Sequence, residues 1–460
     1  MGRVGTFSGS TTVAKRDWTQ GSIVGNLWSL SWPSLITSTL NVIGPAVDMI
    51  WVGRLGSASI AGVGVAGITV TAVNSLVMGL FTGTAALVAR CIGAKDESSA
   101  NRAAQQAFVI GLAFSAIMAV IGIFLAESIL TALGVEGNVV AQGAAYMRIQ
   151  FIGMVTMSAV TVAQSIMQAS GDAMTPMKMS VTYRLMHIGL CPLLVFGWFV
   201  FPQMGVNGAA LSNVITQGLG GSFGLWVLLS GRTRIRVSLK DFRLDGNIIL
   251  RAVKVGIPAS LTNMQRSLAD LLLVRLVIPF GTLAVASHSL MQRLDMFIQT
   301  PAAGLGTAAG ILAGQNLGAS QPKRAVRTGW TAAGLATVIS LFFSIIIWFW
   351  AEPMFRIFSA DKNVISLASA FLRINIVSYA VWGVVVALSM CLNGVGDTMI
   401  PMVTNLTTML GLQIGLAYVL SRYTSLGMYG IRWAVVSGIV ARGVIYTAYY
   451  HHGRWLSKKV

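Results

Sequence analysis

Long apolar stretches alternate with short polar segments along almost the whole chain. Stretches such as 107–125, 190–201 and 332–349 are apolar on every helical face, which is unusual for a helix that packs in water. A run of about twenty apolar residues is long enough to cross a bilayer as a helix. The pattern predicts twelve transmembrane spans, at residues 26–52, 58–88, 104–130, 145–168, 177–200, 208–230, 249–278, 283–313, 329–351, 366–392, 402–421 and 430–450.

The second half of the chain repeats the first at a constant offset in numbering. Gly171-Asp172 recurs as Gly396-Asp397, and Pro176 recurs as Pro401. The difference in residue number between Pro176 and Pro401 is called the repeat offset below. Further pairs share it, among them Gly56-Ser57-Ala58 with Gly281-Thr282-Leu283, and Ile92-Gly93-Ala94 with Leu317-Gly318-Ala319. Because each copy holds an even number of spans, both copies enter the membrane with the same orientation. The sequence therefore predicts an all-α integral membrane protein with two six-helix lobes, related by a pseudo-two-fold axis along the membrane normal.

The repeat and the loop charges divide the chain into five parts. These are an N-terminal segment (1–25), an N-lobe (26–230), a linker (231–248), a C-lobe (249–450) and a tail (451–460). Basic residues concentrate in alternate loops, for example Lys178 and Arg184 after span four. By the positive-inside rule, both termini are cytoplasmic in a multi-pass protein of the plasma (inner) membrane. The polar N-terminal segment does not have the pattern of a signal peptide.

The composition agrees with the membrane class and excludes several others. Hydrophobic residues make up 55% of the 460 positions and charged residues only 10%, too few to cover a soluble protein of this size. The net charge of +18 does not predict nucleic-acid binding, because no basic stripe with interleaved aromatics lies outside the spans. Cys91, Cys191 and Cys391 are too far apart to indicate a metal motif or a disulfide framework. We expect no metal and no cofactor.

Asp48, near the end of the first span, is the strongest candidate for a functional group. An ionised carboxylate inside a membrane costs on the order of 3 kcal/mol, so it needs a partner, a proton or water. Pro45 has no N–H, which frees the carbonyl of Asn41 and lets the helix bend. Asn41 lies two turns before Asp48 on the same face. We expect a cation or proton site at Asp48 and Asn41 with Pro45 as a hinge; the alternative is an interfacial Asp48 bonded only to water.

Five motifs occur in a fixed order along the chain, and together they resemble the multidrug and toxic compound extrusion (MATE) family, nearest its DinF-like branch. The resemblance covers nearly the whole chain and implies export of cationic or amphiphilic compounds, driven by inward flow of protons or sodium. Its carriers are the segment Val47-Asp48-Met49-Ile50-Trp51-Val52-Gly53-Arg54-Leu55-Gly56, Gly93-Ala94-Lys95, Gln168-Ala169-Ser170-Gly171-Asp172 with Pro176, Gly314-Gln315-Asn316-Leu317-Gly318-Ala319, and Asn393-Gly394-Val395-Gly396-Asp397 with Pro401.

The resemblance also implies which residues surround Asp48. In the DinF-like branch a helix-one carboxylate is paired with polar groups on helices five and six. His187 stands at the family's Asn position and Cys191 at its Asp position on helix five, and Asn213 stands at the Thr position of helix six. One carboxylate with one histidine favours protons over sodium, which prefers several hard oxygen ligands. His187 is either a proton relay, since histidine titrates near physiological pH, or a hydrogen-bonded packing residue.

Further polar side chains lie on the apolar spans and are candidates to line a wet cavity. They are Asn74, Gln164, Gln168, Tyr183 and Gln217 in the N-lobe, and Gln265, Gln292 and Asp295 in the C-lobe. For each of them, hydrogen bonding between helices is the alternative role. In the C-lobe, we expect Arg266 to pair with Asp270 one turn later, and Arg432 to extend its head group to the membrane surface.

These observations predict a secondary active antiporter. It would export cationic or amphiphilic small molecules (multidrug efflux) in exchange for protons, or sodium, by alternating access, as a monomer surrounded by membrane lipid and without nucleic acid. A flippase for lipid-linked or metabolite substrates is the alternative, and it would need a cleft richer in basic residues to hold a phosphate. A membrane enzyme is less favoured, because the sequence offers no nucleophile, metal cluster or pair of catalytic acids at one membrane face.

Overall fold

The computed structural model describes residues 17–132, 137–233, 235, 237–238, 242–358 and 361–458, and within them all regular secondary structure is helical. The first half contains α1 (Ile23–Val52), α2 (Ser57–Gly93), α3 (Glu97–Ala132), α4 (Gly137–Ile152 and Met154–Ala169), α5 (Met174–Phe196) and α6 (Val206–Ser230). The second half contains α7 (Gly246–Val277), α8 (Thr282–Gly318), α9 (Pro322–Arg356), α10 (Lys362–Gly394), α11 (Met399–Asn405, a π-helix Leu406–Gln413, and Ile414–Tyr423) and α12 (Met428–His452).

The twelve helices of the described residues each overlap one predicted span, so the prediction of an all-α fold of twelve helices is confirmed. Some boundaries differ. The fifth helix ends at Phe196 rather than at residue 200, because Gly197 takes a left-handed conformation (φ 72°) that closes the helix. The linker ends before residue 248, since the Asp245 side chain accepts hydrogen bonds from backbone N–H groups of the first turn of α7. The last helix continues to His452. Residues 1–16, 234, 236, 239–241 and 459–460 of the predicted terminal and linker segments lie outside the described residues.

Most helices have the length and apolarity of membrane spans. Eight of those described are long and apolar enough to cross a membrane, and ten are if two bent helices each count as one span. α4 bends by 46° near Gly153, and α8 bends by 41° between Met296 and Gln299. The other two helices, α6 and α7, are more polar, and α7 carries Asn263, Gln265, Arg266 and Asp270 in its central part. Large apolar side chains such as Phe349 are exposed on the outside of the bundle, as expected for contact with lipid.

The buried apolar side chains follow the two halves of the chain. One cluster lies wholly within α1–α6 and another wholly within α8–α10. Two larger clusters each take a few residues from the opposite half. Leu27 of α1 packs among α8–α12, and its repeat counterpart Ala252 of α7 packs among α2, α3 and α6. The division into an N-lobe and a C-lobe stays a prediction, and this distribution of cores supports it.

Two glycines related by the repeat bring the halves into backbone contact. A Cβ on Gly93, at the end of α2, would come within 1.9 Å of the carbonyl oxygen of Gln315 in α8. A Cβ on Gly318, at the end of α8, would come within 2.1 Å of the carbonyl oxygen of Arg90 in α2. The repeat offset relates the two contacts, because Gln315 repeats Arg90 as Gly318 repeats Gly93. Such reciprocal contacts are what a two-fold axis between the halves produces.

A second reciprocal pair lies further along the same helices. A Cβ on Gly79 of α2 would come within 2.1 Å of Ser260 in α7, and a Cβ on Gly304 of α8 would come within 3.1 Å of Leu35 in α1. Gly304 repeats Gly79, and Ser260 repeats Leu35, at the repeat offset. Both reciprocal pairs lie in the half of the bundle where α2 and α8 end and where α1 and α7 begin. The cleft between the halves is therefore closed at that end.

Candidate functional site

The carboxylate of Asp48 points into the first half of the bundle and is almost fully buried (2% exposed). Asn213 of α6 donates a hydrogen bond from Nδ2 to Oδ2 of Asp48, at 3.2 Å. The Nε2 atom of His187 lies 3.1 Å from Oδ1 of Asp48, and the Cys191 thiol donates to the same oxygen at 3.7 Å. The structure therefore brings together Asp48, His187, Cys191 and Asn213 from three helices, and the alternative of an interfacial Asp48 bonded only to water does not hold.

The regular spacing on α5 explains why His187 and Cys191 reach the same carboxylate. Tyr183, His187 and Cys191 follow one another at intervals of four residues, so they share one face of the helix. All three are buried, and that face is turned towards α1. The contact of His187 with Asp48 is close, but the N–H bond is not aligned with the carboxylate oxygen. It is an electrostatic contact between two buried groups rather than a well-aligned hydrogen bond.

Arg184 is buried beside this group of residues and is not a loop residue. The sequence analysis counts it among the basic residues that follow span four, but its side chain is only 5% exposed within α5. Its Nη1 atom lies 3.4 Å from Nδ1 of His187, and its guanidinium lies over the ring of Tyr183 at 5.4 Å. Lys178, one turn and a half earlier on the same helix, is exposed. The predicted span 177–200 already contained Arg184, which was the signal for its burial.

Tyr146 of α4 is a second residue that sequence reasoning missed. Its hydroxyl lies beside Asp48 and accepts a hydrogen bond from Gln150 at 3.0 Å. Gln217 extends the network on the other side, because it donates to Oδ1 of Asn213 at 2.9 Å. Nothing in the sequence of α4 marks Tyr146, since its role depends on how α4 packs against α1.

Asn41 and Pro45 lie close to Asp48 but are not its direct partners. The Oδ1 atom of Asn41 accepts a hydrogen bond from the hydroxyl of Tyr183 at 3.2 Å. The Asn41 amide therefore does not bond to the Asp48 carboxylate as expected. Both side chains line the same cavity instead. α1 is assigned as one continuous helix through Pro45. The role of Pro45 as a hinge stays a prediction.

A cavity of about 320 Å³ adjoins this group and is lined by several of the predicted residues. Asn41, Pro45, Asp48, Asn74, Gln164, Tyr183, Asn213 and Gln217 all contribute to its wall, together with Arg184 and Tyr146. His187 and Cys191 are fully buried behind this wall. These side chains therefore line a polar cavity in the first half. Their function in it stays a prediction.

A second cavity, of about 360 Å³, lies between the two halves. Gln168 lines it, as do polar residues of α7 and α8 such as Thr262, Asn263 and Thr307. Among the described residues that line it, none is ionisable; the wall combines hydroxyl and amide groups with alanines, glycines and larger apolar side chains such as Met78, Phe81 and Met390. Its wall shares four residues with that of the smaller cavity, namely Asn41, Met78, Thr161 and Gln164. The buried carboxylate is therefore separated from the central cavity by a wall that both cavities share.

Comparison with known proteins agrees with the repeat and the fold. A family model described as MatE matches the chain twice, at residues 33–193 and 258–419. The chain belongs to the MatE family. The starts of the two matches, Pro33 and Pro258, are related by the repeat offset. Membership of the DinF-like branch within this family stays a prediction.

Relatives of this MatE protein are named as multidrug resistance proteins or as transporters. It is 25% identical over 433 residues to the "Probable multidrug resistance protein YoeA" of Bacillus subtilis (strain 168), covering 93% of each chain. It is 27% identical over 453 residues to the "Probable multidrug resistance protein YpnP" of the same organism, covering 96% of this chain and 98% of that one. A solved structure of an outward-facing multidrug resistance MATE family transporter has the same fold, with a TM-score of 0.88 and 24% identity over 96% of this chain and 98% of that chain.

In the second half of this MatE protein, the predicted residues form a separate network. Asp295 of α8 accepts hydrogen bonds from the Tyr379 hydroxyl at 2.5 Å and from Gln299 at 2.6 Å. Gln299 in turn accepts from Arg266 at 2.9 Å. Asp295, Gln265 and Gln292 line neither of the two cavities described above. Gln265 is buried, whereas Gln292 and Asp295 are partly buried, and the expectation that these residues line a wet cavity stays a prediction.

Two arginines of this half also differ from expectation. Arg432 does not extend to the membrane surface; it is 3% exposed, contacts Nδ1 of His288 and lies over the ring of Phe371. Arg266 packs over the ring of Trp382 and bonds to Gln299. The helical spacing correctly places Arg266 and Asp270 one turn apart, but it does not reveal that a neighbouring helix offers Arg266 another partner.

Three side chains at the first-half site are of types that bind metal ions. One ligand-type atom each of Asp48, His187 and Cys191 lies within 4.8 Å of the others. The sequence analysis expects no metal, because the three cysteines are too far apart along the chain to form a metal motif. The guanidinium of Arg184 can only donate, so Nδ1 of His187 must accept from it, and the proton of the neutral ring then sits on Nε2. A protonated Nε2 has no lone pair for a metal, and we do not assign these residues as ligands.

Proposed function

We propose that the protein is a secondary active antiporter, which exports cationic or amphiphilic small molecules in exchange for protons by alternating access. The observation that carries this proposal is the buried carboxylate of Asp48, held by donors from α5 and α6 in a cavity that shares its wall with the central cavity. An ionisable group at such a depth in a membrane protein is costly unless it is neutralised, and it is characteristic of ion pathways.

The neighbours of Asp48 favour a proton over sodium. Asn213 and Cys191 present N–H and S–H donors to the carboxylate, and His187 presents its ring Nε2. Donors of this kind stabilise an ionised carboxylate, but they cannot coordinate a sodium ion, which binds oxygen ligands. The amide oxygen of Asn213 is already used, since it accepts from Gln217. A proton needs no ligands beyond the carboxylate oxygen that it binds.

The shared wall offers a route by which the charge of Asp48 affects the substrate. Asn41, Thr161 and Gln164 face both cavities, and Tyr183 ties Asn41 to α5. Protonation of Asp48 removes the charge that attracts the donors from α5 and α6, so the packing of these helices against α1 loosens. The wall of the central cavity then changes, and substrate affinity changes with it. Proton and substrate binding are coupled in this way, and coupling is reciprocal.

The central cavity favours an amphiphilic substrate over a lipid-linked phosphate. Its wall combines hydroxyl and amide groups with Met78, Phe81 and Met390, and flexible thioethers accommodate ligands of varied shape. A flippase for phosphate-bearing lipids would need basic residues at this place, and among the described lining residues there is none. For a cationic substrate, Asp48 behind the shared wall supplies a countercharge.

The orientation in the membrane follows from the distribution of basic residues. The closed end of the cleft is the end where α2 ends and α9 begins, and Arg90, Lys323 and Arg327 lie there. Basic residues mark the cytoplasmic side, so this proposal places the closed end and both termini in the cytoplasm. The central cavity would then open away from the cytoplasm, in a monomeric plasma-membrane protein whose two lobes rock about the crossing of α2 with α7 and α8.

The test is efflux of a fluorescent organic cation from proteoliposomes under separately imposed proton and sodium gradients. We expect a proton gradient to drive transport in the wild type, and a sodium gradient at clamped pH to be without effect. Asp48→Asn should abolish proton-driven transport, because the amide cannot take up a proton, while the protein still folds. Full proton-driven transport by Asp48→Asn, or transport by the wild type under sodium alone, would overturn the proposal.

A surface carboxylate provides the matched control. Glu127 is exposed and pairs with Arg148 at 2.8 Å on the outside of the bundle. Glu127→Gln removes the same charge as Asp48→Asn and lies outside both cavities. Exposed ion pairs contribute only up to about 1 kcal/mol, so this variant should transport as the wild type does.

A further inference from the structure

The buried guanidinium of Arg184 occupies a position prepared for it by α1. Gly44 lies directly before Pro45, and a Cβ at this position would come within 1.9 Å of Nη1 of Arg184. Only glycine leaves room for the guanidinium against α1, and the ring of Tyr183 covers it on another side. The Nε atom of Arg184 is buried and has no hydrogen-bond partner. A buried cation that is incompletely hydrogen-bonded needs a nearby negative charge to be tolerated.

Asp48 supplies that negative charge across the ring of His187. The ring contacts Arg184 through Nδ1 at 3.4 Å and lies 3.1 Å from Asp48 through Nε2. One imidazole thus separates the guanidinium from the carboxylate. The titratable groups around Asp48 are Tyr146 on α4, and Tyr183, Arg184, His187 and Cys191 on α5; the described cavity residues of α2 and α6 contribute none. Arg184 is therefore the permanent positive charge of this environment.

The same contact fixes the protonation form of His187. Arginine has only donors, so Nδ1 of His187 must accept, and the single proton of the neutral ring is on Nε2, facing Asp48. A second proton on Nδ1 would place two donors against each other, 3.4 Å apart. The contact with Arg184 therefore opposes a second proton on His187, and this inference assigns the coupling proton to Asp48. The hypothesis of His187 as a relay that itself becomes charged does not fit this arrangement.

We propose that Arg184 is the residue that selects the proton as the coupling ion. This inference rests on the proposed proton antiport and deepens it. The positive guanidinium repels any further cation near Asp48. The proton and the sodium ion differ in the attraction to the carboxylate that can overcome this repulsion. A proton forms a covalent bond to the carboxylate oxygen. Sodium has only the attraction of a carboxylate that Arg184 already compensates, in a shell of donors.

Replacing Arg184 tests this selection directly. Removing a positive charge near a carboxylate makes its protonation easier, by roughly one pH unit or more. In Arg184→Gln we therefore expect the pH of half-maximal proton-driven efflux to rise by about that amount. We also expect a sodium gradient at clamped pH to stimulate efflux in this variant and not in the wild type. Arg184→Lys keeps the charge and should retain the insensitivity to sodium.

Two further variants separate the charge from general effects on folding. Lys178→Gln removes a positive charge from the exposed part of α5 and should leave both readouts as in the wild type. Gly44→Ala leaves Arg184 in the chain but displaces its guanidinium, so it should raise the half-maximal pH in the same direction as Arg184→Gln. It provides the decisive measurement if Arg184→Gln does not fold.

The outcomes distinguish this inference from the function on which it rests. If a sodium gradient alone drives efflux by the wild type, the proposed proton antiport is wrong, and the proposed role of Arg184 is wrong with it. If the wild type is driven by protons, but Arg184→Gln and Gly44→Ala keep its pH profile and stay insensitive to sodium, only the role of Arg184 is wrong. A raised half-maximal pH together with a new response to sodium supports the selection.

Discussion

The crossing of α2 and α8 at Gly93 and Gly318 offers a direct test of the proposed alternation between two openings. A Cβ on Gly93 would stand 1.9 Å from the carbonyl oxygen of Gln315, and the obstacle is backbone, which cannot rotate away. Gly93→Ala must therefore push the ends of α2 and α8 apart. In the proposed alternating-access cycle this contact is lost when the cleft opens at that end, so the substitution should destabilise the closed form relative to the open one.

The size of the effect follows from the cost of overpacking. An inserted methyl group that forces backbone to shift costs about 1 to 3 kcal/mol, which corresponds to a change of about 5- to 150-fold in the ratio of the two forms. Gly318→Ala meets the carbonyl oxygen of Arg90 at 2.1 Å, so its effect should be of similar size. The two substitutions act on one crossing, and the double variant should show less than the sum of their separate effects.

The ratio can be measured as a distance distribution between spin labels. Ser98 and Lys323 are exposed, lie just beyond the ends of α2 and α8, and are counterparts in the repeat, so labels on Ser98→Cys and Lys323→Cys report separation of the halves. Cys91 is partly exposed nearby and is replaced by Ser beforehand. Gly64→Ala is the matched control, because a Cβ at this position of α2 meets no atom within 4 Å.

Gly93→Ala should move population towards the longer distance, and Gly64→Ala should leave the distribution as in the wild type. Identical distributions for Gly93→Ala, Gly64→Ala and the wild type would show that the crossing is not specific to one form. The reasoning from the glycine contact would then be wrong, even if the fold is correct.

Two further predictions concern single hydrogen bonds. Asn213→Ala leaves Oδ2 of Asp48 without its donor, so the half-maximal pH of proton-driven efflux should rise, as measured in the proteoliposome assay. Hydrogen bonds from Ser99 hold the pKa of Asp96, in the loop before α3, at about 2 instead of 3.8. The stabilisation of the folded protein by ionised Asp96 is therefore present at neutral pH and is lost as the pH falls towards about 2. Asp96→Ala should lower the free energy of unfolding at pH 7 by about 1 kcal/mol, as followed by thermal denaturation, and the difference should shrink in acid.

The helices and the core of the site could be predicted from sequence for a simple reason. Apolar runs of membrane length identify the helices, and the spacing of four residues puts Tyr183, His187 and Cys191 on one face. The family resemblance then supplied the pairing of α1 with α5 and α6, which periodicity alone cannot give. With it, the sequence places Asp48 and Asn213 at the same site.

What the sequence did not reveal depends on contacts between helices. Arg184 lies within the predicted fifth span, but the sequence does not show that Gly44 on another helix leaves the space in which its guanidinium is buried. Tyr146 reaches Asp48 only through the packing of α4. In the second half, Asp295 bonds to Tyr379 of α10 rather than lining a shared cavity, which its position on α8 does not determine. Periodicity shows which residues share a helical face, but not which helix that face meets.

The repeat relates the helices of the two halves but not the side chains of the proposed proton site. This difference affects how the proposed site can be coupled to the closure between the halves. Leu273 and Leu412 stand where the repeat would place the counterparts of Asp48 and His187, so the proposed proton site exists once. The closing contacts, in contrast, occur in reciprocal pairs such as Gly93 with Gly318. A change at a single site in one half must therefore act on a symmetric closure. Since α1 carries Asp48 and also meets Gly304 of α8 through Leu35, α1 directly connects the proposed proton site with the closing contacts.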